Sequence, residues 1–216
     1  MTMFTFSVIV VCLLSYVAGS IPSGFLVAKR LANVDLRTVG SGSTGATNVL
    51  RVCGKGPAFF VMVFDIVKGI IPVAGAIYLD KHLMASPMSQ WHLLAPLSAI
   101  CLLIGHSRSL FLQFKGGKSA ATALGTLIAL NTWTAAVVFG TWILLVATVR
   151  IVSVASLVAA LLAPIAMYLF DGYASYIAYC LAGTLAIFYL HRANIVRLRQ
   201  RTEPTVGKMQ KCNTGG

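Results

Sequence analysis

A segment rich in glycine and hydroxyl side chains offers the strongest local chemistry in this sequence. From Gly40 to Asn48 it reads GSGSTGATN, and Arg51 follows. The glycines let backbone N–H groups turn toward one centre, and the Ser, Thr and Asn side chains add donors. Arg51 adds a planar fork that pairs with phosphate oxygens. A flexible connector would share this composition, but the following ATNVLR has the character of a helix start. The segment therefore predicts a phosphate site.

A second glycine pair lies between two lysines just before an apolar run. It reads KGGKS from Lys115 to Ser119. This is not a nucleotide-binding P-loop, because Leu112 stands where that motif needs glycine and no strand precedes it. The first amides of a helix nevertheless attract anions. We expect a second, independent phosphate cradle here.

Ionisable groups inside or beside apolar runs add further candidates. Asp65 and Lys68 share one helix face and form either a structural pair or a substrate contact. His191, Asn194 and Arg197 fall on neighbouring helical turns at the end of the last apolar run. A histidine in such a place is either a structural cap or a proton acceptor.

The elements that must position these groups are membrane-spanning helices. The chain has 216 residues, of which 58% are hydrophobic and 10% charged, with a mean hydropathy of +0.86. This leaves too little polar surface for a soluble globule. Seven apolar runs approach the roughly 20 residues that span a hydrocarbon core. They are residues 4–27, 57–79, 91–112, 119–131, 133–149, 152–170 and 173–190, the fourth being short enough to be tilted or partly re-entrant.

The basic residues predict the orientation of these helices. Fifteen of the seventeen Lys and Arg lie in residues 29–56, 105–118, at Arg150 and from 191 onward, whereas the opposite loops hold only Lys81. The positive-inside rule then places the N-terminus outside and the C-terminus in the cytoplasm. Anionic lipid headgroups and topology account for the net charge of +12 without a nucleic-acid partner. We expect residues 1–216 to form one domain, with a tail over 204–216 that frays.

Three classes of protein fit a small basic membrane bundle. An enzyme that acts on phosphorylated lipid precursors uses both cradles and the histidine. A transporter needs more polar residues near the membrane midplane, and a scaffold needs no cradle. The His-x4-Asp arrangement of many glycerolipid acyltransferases is absent. The residues five positions after the four histidines are Pro87, Leu97, Phe111 and Val196.

The order of these motifs along the chain is specific. They are the GSIPSG from Gly19, the first cradle with Arg51, Asp65 with Lys68-Gly69, Gly105-His106, the second cradle, Arg150 with Ser153 and Ser156, His191 with Asn194 and Arg197, and Thr202-Glu203. This order resembles the bacterial acyl-phosphate:glycerol-3-phosphate acyltransferases of the PlsY type. The resemblance implies an all-α, seven-helix integral membrane enzyme of the bacterial plasma membrane, with its active site facing the cytoplasm.

The resemblance also implies a reaction. An acyl group passes from acyl phosphate to the 1-hydroxyl of glycerol 3-phosphate, which gives lysophosphatidate and phosphate early in phospholipid synthesis. We expect a monomer without cofactor or metal.

Site residues follow from the same resemblance. We expect catalytic roles for Ser41, Lys118, His191 and Asn194. We expect substrate-binding roles for Gly40, Gly42, Ser43, Asn48, Arg51, Lys68, His106, Lys115, Gly116, Gly117, Ser153 and Glu203. Four positions, Ser43, Ser109, Ser119 and Arg201, depart from the usual residues of the family.

A mechanism without a covalent intermediate suits these groups, because acyl phosphate is already activated. Lys118, Ser41 and nearby amides are candidates to stabilise developing negative charge, while Arg51 holds phosphate. The proton acceptor is either His191 or an oxygen of a substrate phosphate.

Overall fold

The computed structural model describes residues 2–82 and 92–206, and within these ranges the chain is helical without strands. The described residues form ten α-helices and a 3₁₀ turn at Leu110–Leu112. Their bounds are α1 Thr2–Ser20, α2 Ser23–Ala32, α3 Ala46–Cys53, α4 Lys55–His82, α5 Leu94–Ser107, α6 Ala120–Leu130, α7 Thr132–Val149, α8 Val152–Phe170, α9 Ala174–Leu190 and α10 Arg192–Arg199.

In the part of the chain that the structure describes, five segments are long and apolar enough to cross a membrane. They are Thr5–Ala32, Lys55–His82, Leu94–Leu112, Thr132–Val149 and Val152–Phe170. The pair α9 and α10, bent by 58° at His191, adds a sixth if it is counted as one span. The predicted all-α integral membrane architecture is therefore confirmed.

The fourth predicted span is the short helix α6. Its 11 residues extend for about 16 Å, roughly half of a hydrocarbon core. It ends at Asn131, which accepts a hydrogen bond from the N–H of Thr134 at 2.8 Å and so caps α7. The Asn131 amide also donates to Asp171 at the end of α8, at 3.4 Å. The C-terminal end of α6 therefore lies beside the turn that follows α8.

Close helix contacts depend on glycine at the crossing of α4 and α6. A Cβ on Gly69 would lie 2.5 Å from the carbonyl oxygen of Thr122, and one on Gly125 would lie 2.1 Å from that of Ile66. Small residues let helix backbones approach closely where lipid offers no hydrophobic driving force. This contact fixes the start of α6, and with it the loop that carries Lys118.

A small apolar cluster anchors the loop between α2 and α3. Ala28, Leu36 and Val49 are fully buried against Ala58 and Val61 at the start of α4. The first predicted cradle is thus packed onto the helix bundle. Its position relative to α4 is set by burial of apolar side chains, although its own composition is that of a flexible loop.

Candidate active site

One cavity of about 380 Å³ brings together residues from three of the basic segments. Its polar mouth is formed by α3, the loop before α6, the start of α8, and the chain around α10. The polar mouth contains Ser41, Ser43, Thr47, Arg51, Lys55, Lys118, Ser153, Asn194 and Glu203. Below it, an apolar chamber extends between α4, α6, α7, α8 and α9. The apolar chamber is lined by Met62, Leu124, Leu127, Val138, Phe139, Trp142, Ala159, Ala160, Ala163, Tyr179 and Ile187.

A hydrogen-bonded chain of polar side chains crosses the polar mouth. Lys118 Nζ donates to Asn194 Oδ1 at 2.6 Å, and Asn194 Nδ2 donates to Glu203 Oε1 at 2.5 Å. The same carboxylate accepts from Ser153 Oγ at 2.8 Å and from Arg197 Nε at 2.7 Å. The side-chain amide of Asn194 therefore bridges Lys118 and Glu203, which lie 85 positions apart in the sequence.

Burial and charge shift the pKa values of both ends of this chain. Burial, and then the nearby Arg197, lowers the pKa of Lys118 to about 8, although Glu203 opposes the shift. Burial acts to raise the pKa of Glu203, but hydrogen bonds from Asn194, Ser153 and Arg197 outweigh it and lower the pKa overall. Glu203 is consequently anionic at neutral pH, while Lys118 is a cation that loses its proton more easily than an exposed lysine.

Arg51 presents an uncommitted guanidinium to the polar mouth. Among the residues that the structure describes, its side chain has no hydrogen-bond or ion-pair partner, although it lies close enough to sense the charges of Glu203 and Arg197. The guanidinium fork is suited to a phosphate in two-point contact. Its position agrees with the expected phosphate-binding role.

Asn48 has a structural task that the sequence did not reveal. Its Nδ2 donates to the carbonyls of Leu36, Val39 and Ser43 at 3.2, 3.1 and 2.9 Å, and its Oδ1 accepts from the N–H of Ser41 at 3.1 Å. The side chain is 1% exposed. Its amide therefore shapes the loop and has no donor left over for a ligand, although Asn48 borders the cavity.

The first two glycines of the first cradle serve the same loop. Gly40 and Gly42 have φ values of 60° and 68°, which L-residues rarely adopt. A Cβ on Gly40 would lie 2.2 Å from Asn48 Oδ1. Neither glycine lines the cavity, whereas Ser41 and Ser43 do. The cradle therefore presents its serines to the cavity.

The second predicted cradle packs closely against His106. The N–H of Gly117 donates to the carbonyl of His106 at 3.0 Å, and that of Lys115 donates to Leu112 at 3.1 Å. A Cβ on Gly116 or Gly117 would lie 2.2 Å from His106, at its carbonyl oxygen and its Nε2 respectively. The backbone N–H groups of Lys115 and Gly117 are thus satisfied within the chain. Only Lys118 and Ser119 of the segment reach the cavity.

His191 stands at the junction of α9 and α10, outside the set of side chains that line the cavity. Its Nδ1 lies 2.8 Å from the carbonyl oxygen of Ile187. A carbonyl only accepts hydrogen bonds, so Nδ1 carries a proton and the neutral ring has its lone pair on Nε2. The ring is 4% exposed. His191 is therefore both a helix cap and a side chain with a defined acceptor.

Asp65 and Lys68 form a buried ion pair beneath the site. Lys68 Nζ lies 2.8 Å from Asp65 Oδ1 and donates to the carbonyl of Ile21 at 3.0 Å. Ser23 Oγ donates to the same carboxylate oxygen at 2.7 Å, and His106 Nδ1 lies 3.8 Å from it. Asp65 and His106 border the cavity but Lys68 does not. Of the two interpretations of the pair, the geometry favours the structural one.

Comparisons with known proteins identify the family of this chain. A sequence profile of the family described as "Glycerol-3-phosphate acyltransferase" matches residues 9–201. The chain belongs to the glycerol-3-phosphate acyltransferase family. A protein of that name from Synechococcus sp. (strain JA-3-3Ab) is 46% identical over 202 residues, with 94% of this chain and 95% of the relative covered. One from Nostoc sp. (strain PCC 7120) is 42% identical over 208 residues, covering 92% and 91%.

Solved structures extend the agreement to the fold of this acyltransferase. The crystal structure of PlsY (YgiH), an integral membrane glycerol 3-phosphate acyltransferase, in its glycerol 3-phosphate form matches with a TM-score of 0.83 at 34% identity. Its lysophosphatidic acid form matches with a TM-score of 0.80 at 33% identity. Each match covers 93% of this chain and 96% of the other. The sequence resemblance to the PlsY type is confirmed.

Sequence reasoning missed two parts of the site in this acyltransferase. Lys55 lines the polar mouth as a third cation beside Arg51 and Lys118. Its position one residue before a glycine at a helix start was a usable signal. The apolar chamber was missed altogether, because alanine, leucine and tryptophan in a membrane span look the same whether they face lipid or a cavity.

Proposed function

We propose that this acyltransferase transfers a fatty acyl group from acyl phosphate to the 1-hydroxyl of sn-glycerol 3-phosphate, which yields 1-acyl-sn-glycerol 3-phosphate and inorganic phosphate. The observation that carries the proposal is the composite cavity. Three cationic side chains, Arg51, Lys55 and Lys118, surround a polar mouth that opens into an apolar chamber. An acyl phosphate has the same two parts, an anionic head and a hydrocarbon tail.

The polar mouth has enough donors for two phosphate groups. Arg51 on α3 and Lys118 before α6 lie on different elements, so each can meet a separate anion. Ser41 and Ser43 lie on the loop beside Arg51 and add hydroxyl donors. Asn194 already accepts from Lys118, which orients the ammonium group toward the cavity. Glu203 organises Asn194 and Arg197 from behind, and Ser153 supports Glu203.

In the proposed reaction the glycerol hydroxyl oxygen attacks the acyl carbonyl carbon, and the bond from that carbon to the phosphate oxygen breaks. Negative charge develops on the carbonyl oxygen, and Lys118 with Ser41 stabilises it. The hydroxyl proton passes to a phosphate oxygen of a substrate or to Nε2 of His191. Orientation of two bound substrates supplies much of the rate enhancement, because acyl phosphate is an activated donor.

The membrane setting completes the proposal. The chain crosses the membrane seven times if α1 and α2 together form the first span. The other six spans are then α4, α5, α6, α7, α8 and α9. The N-terminus then lies outside and the C-terminus in the cytoplasm, in agreement with the positive-inside rule. The enzyme works as a monomer and single domain in the bacterial plasma membrane, with its polar mouth facing the cytoplasm. Lys118, Arg51 and Asn194 all lie on the basic side of the bundle.

A direct test offers three donors to the purified enzyme with glycerol 3-phosphate. Palmitoyl phosphate, palmitoyl-CoA and palmitoyl acyl carrier protein are supplied side by side, with and without EDTA. We expect lysophosphatidate from acyl phosphate alone, at the same rate in chelator. Lys118→Met should abolish the product, whereas Lys29→Met, an exposed lysine on α2 outside the cavity, should leave it unchanged. Turnover with acyl-CoA but not with acyl phosphate contradicts the donor assignment.

A further inference from the structure

Leu127, Val138, Ala163 and Tyr179 line the apolar chamber far from the polar mouth and are called its inner wall here. These four side chains come from four different helices and are 3–8% exposed. Ala163 lies ten residues along α8 from Ser153 at the polar mouth, a distance of about 15 Å. The inner wall is thus placed deep in the bundle, at a defined distance from the cations of the mouth.

One helical turn beyond the inner wall, a buried pair blocks further extension of the chamber. Met167 follows Ala163 by four residues on α8, and Thr134 precedes Val138 by four on α7. Neither residue lines the cavity, and both are 0% exposed. Thr134 Oγ1 donates to Met167 Sδ at 3.9 Å, which joins the two helices behind the inner wall.

The inner wall is also fixed laterally. The hydroxyl of Tyr179 on α9 is hydrogen-bonded to that of Thr126 on α6, and Thr126 Oγ1 donates to the carbonyl of Ala123 at 2.7 Å. Tyr179 therefore has little freedom to swing aside for a longer ligand. Close-packed interiors resist added methylene groups because neighbouring side chains must leave their preferred rotamers.

We propose that the inner wall, with Met167 behind Ala163, sets the longest acyl chain that this enzyme transfers efficiently. This inference rests on the proposed function, in which the chamber takes the acyl tail of the donor. The reacting end of the donor is held at Arg51 and Lys118. The acyl chain therefore extends from the polar mouth toward Ala163, and the distance between them limits its length. A tail that passes the inner wall meets packed protein and loses its fit.

The first test fills the chamber. Ala163→Leu places a larger side chain at the inner wall, and decanoyl, palmitoyl and stearoyl phosphate are compared as donors. We expect the ratio of kcat/KM for stearoyl to decanoyl phosphate to fall by about tenfold or more, since one methylene misfit in a pocket is worth about 10–200-fold. The KM for glycerol 3-phosphate should stay unchanged.

Ala166→Leu is the matched control. It makes the same substitution three residues away on α8, at a side chain that is 4% exposed and outside the cavity. Ala166→Leu should change the rates with all three donors by one common factor. If Ala163→Leu also changes them in parallel, the inner wall does not set chain length and the inference fails.

The second test opens the chamber from behind. Met167→Ala removes the side chain that blocks the next turn, and we expect the stearoyl to decanoyl ratio to rise. If this variant does not fold, Met167→Val removes less volume and should shift the ratio in the same direction. A fall, or no change, in a folded variant overturns the role of Met167.

The two proposals fail in different ways. If the unaltered enzyme uses acyl-CoA in place of acyl phosphate, the donor assignment is wrong. The chain-length ratio is then measured with a matched acyl-CoA series, where a shift in Ala163→Leu still supports the inner wall. A shift absent in both donor series contradicts the inner wall alone.

Discussion

Lys118 Nζ is hydrogen-bonded to Asn194 Oδ1 at 2.6 Å, which joins the loop before α6 to α10 across the polar mouth. Partial burial of the ammonium group, and then the nearby Arg197, lower its pKa to about 8. A lysine with a lowered pKa is charged below that pH and loses its charge as the pH rises through it. The catalytic role proposed for Lys118 requires the charged form.

We therefore predict an alkaline fall in kcat/KM centred near pH 8 in the free enzyme, in agreement with the pKa of Lys118. The fall should move to higher pH in kcat, because a bound phosphate stabilises the ammonium form. Lys118→Arg should remove the fall up to about pH 10, even if the variant is slower, since guanidinium stays protonated. A fall that persists unchanged in Lys118→Arg would assign it to another group.

Glu203 is predicted to act as an organiser of the polar mouth. Glu203→Gln keeps the shape but replaces one acceptor oxygen with an NH₂ group, so Asn194, Ser153 and Arg197 compete for the remaining oxygen. Hydrogen bonds to charged groups are worth about 1.5–3 kcal/mol, so kcat/KM should fall by about tenfold to a hundredfold. Ser153→Ala removes one of these bonds and should have a smaller effect in the same assay. Equal kinetics in all three proteins contradict the organising role.

The lowered pKa of Glu203 also gives a stability prediction. Its contribution is fully present above the pKa of the unfolded chain and is lost as the pH falls through the lower folded pKa. Thermal unfolding in detergent should show a loss of Tm below about pH 4 in the unaltered enzyme that is smaller in Glu203→Gln. Parallel pH profiles of Tm exclude Glu203 as the source.

Much of this site follows from the sequence, and the parts that do not have physical reasons. Arg51, Lys118 and Asn194 were expected on one face because their motifs sit on basic loops, which the positive-inside rule collects there. Glu203 was expected from the family resemblance. The loop-shaping role of Asn48 was not predicted, because an asparagine in a Gly/Ser loop can hydrogen-bond either to the loop or to a ligand with the same side-chain groups. Only the fold shows which carbonyls are within reach.

The helix boundaries were likewise predicted in part from the sequence. The short fourth run was predicted and corresponds to α6, because an apolar run is read directly from composition. The first run was expected to be continuous over residues 4–27, but the structure divides it at Ile21-Pro22 between α1 and α2. Proline is tolerated in membrane helices whenever neighbouring groups satisfy the freed carbonyls. Lys68, which donates to the carbonyl of Ile21, is such a neighbour from a distant part of the chain.

The packing of Gly117 revises the effect expected of its substitution. Gly117, which the family resemblance places among the substrate-binding residues, has no room for a side chain, because Gly117→Ala would place a Cβ 2.2 Å from His106 Nε2. We expect a loss of about 1–3 kcal/mol in stability together with reduced activity, because overpacking displaces the Lys118 loop. Gly75→Ala, with open space around its Cβ, is the control and should be neutral.

The double variant Gly117→Ala/His106→Ala separates the two explanations for Gly117. Removal of the imidazole ring relieves the contact. The loss of stability in the double variant should therefore be smaller than the sum of the losses in the two single variants. Additive losses of Tm would mean that Gly117 acts through its own backbone rather than through His106.

The buried pair of Asp65 and Lys68 is predicted to stabilise the fold without contact to substrate. Lys68→Met leaves the Asp65 carboxylate without its cation in a 1% exposed site, which should cost about 3–5 kcal/mol. The double variant Asp65→Leu/Lys68→Met should recover most of the Tm. A rise in KM for glycerol 3-phosphate at unchanged Tm in Lys68→Met would instead indicate substrate contact.

Substitution of His191 distinguishes the two candidate acceptors of the hydroxyl proton. Its Nδ1 is committed to the carbonyl of Ile187, so only Nε2 can face a substrate. As a general base, His191 imposes a loss of about 10²–10⁴ in kcat when it is replaced by Ala, Asn or Gln. If it orients glycerol 3-phosphate while a substrate phosphate takes the proton, His191→Ala mainly raises KM, and Asn or Gln restores a hydrogen bond.

We expect the second outcome, because acyl phosphate is reactive enough for orientation to suffice. The measurement is kcat and KM of the Ala, Asn and Gln variants for glycerol 3-phosphate across pH. Partial recovery in Asn or Gln, with kcat close to that of the unaltered enzyme, agrees with orientation. Since Ala also removes the cap on α9, Tm is measured for each variant so that a loss of fold is not mistaken for a loss of binding. A collapse of kcat in all three folded variants at unchanged KM makes His191 the base.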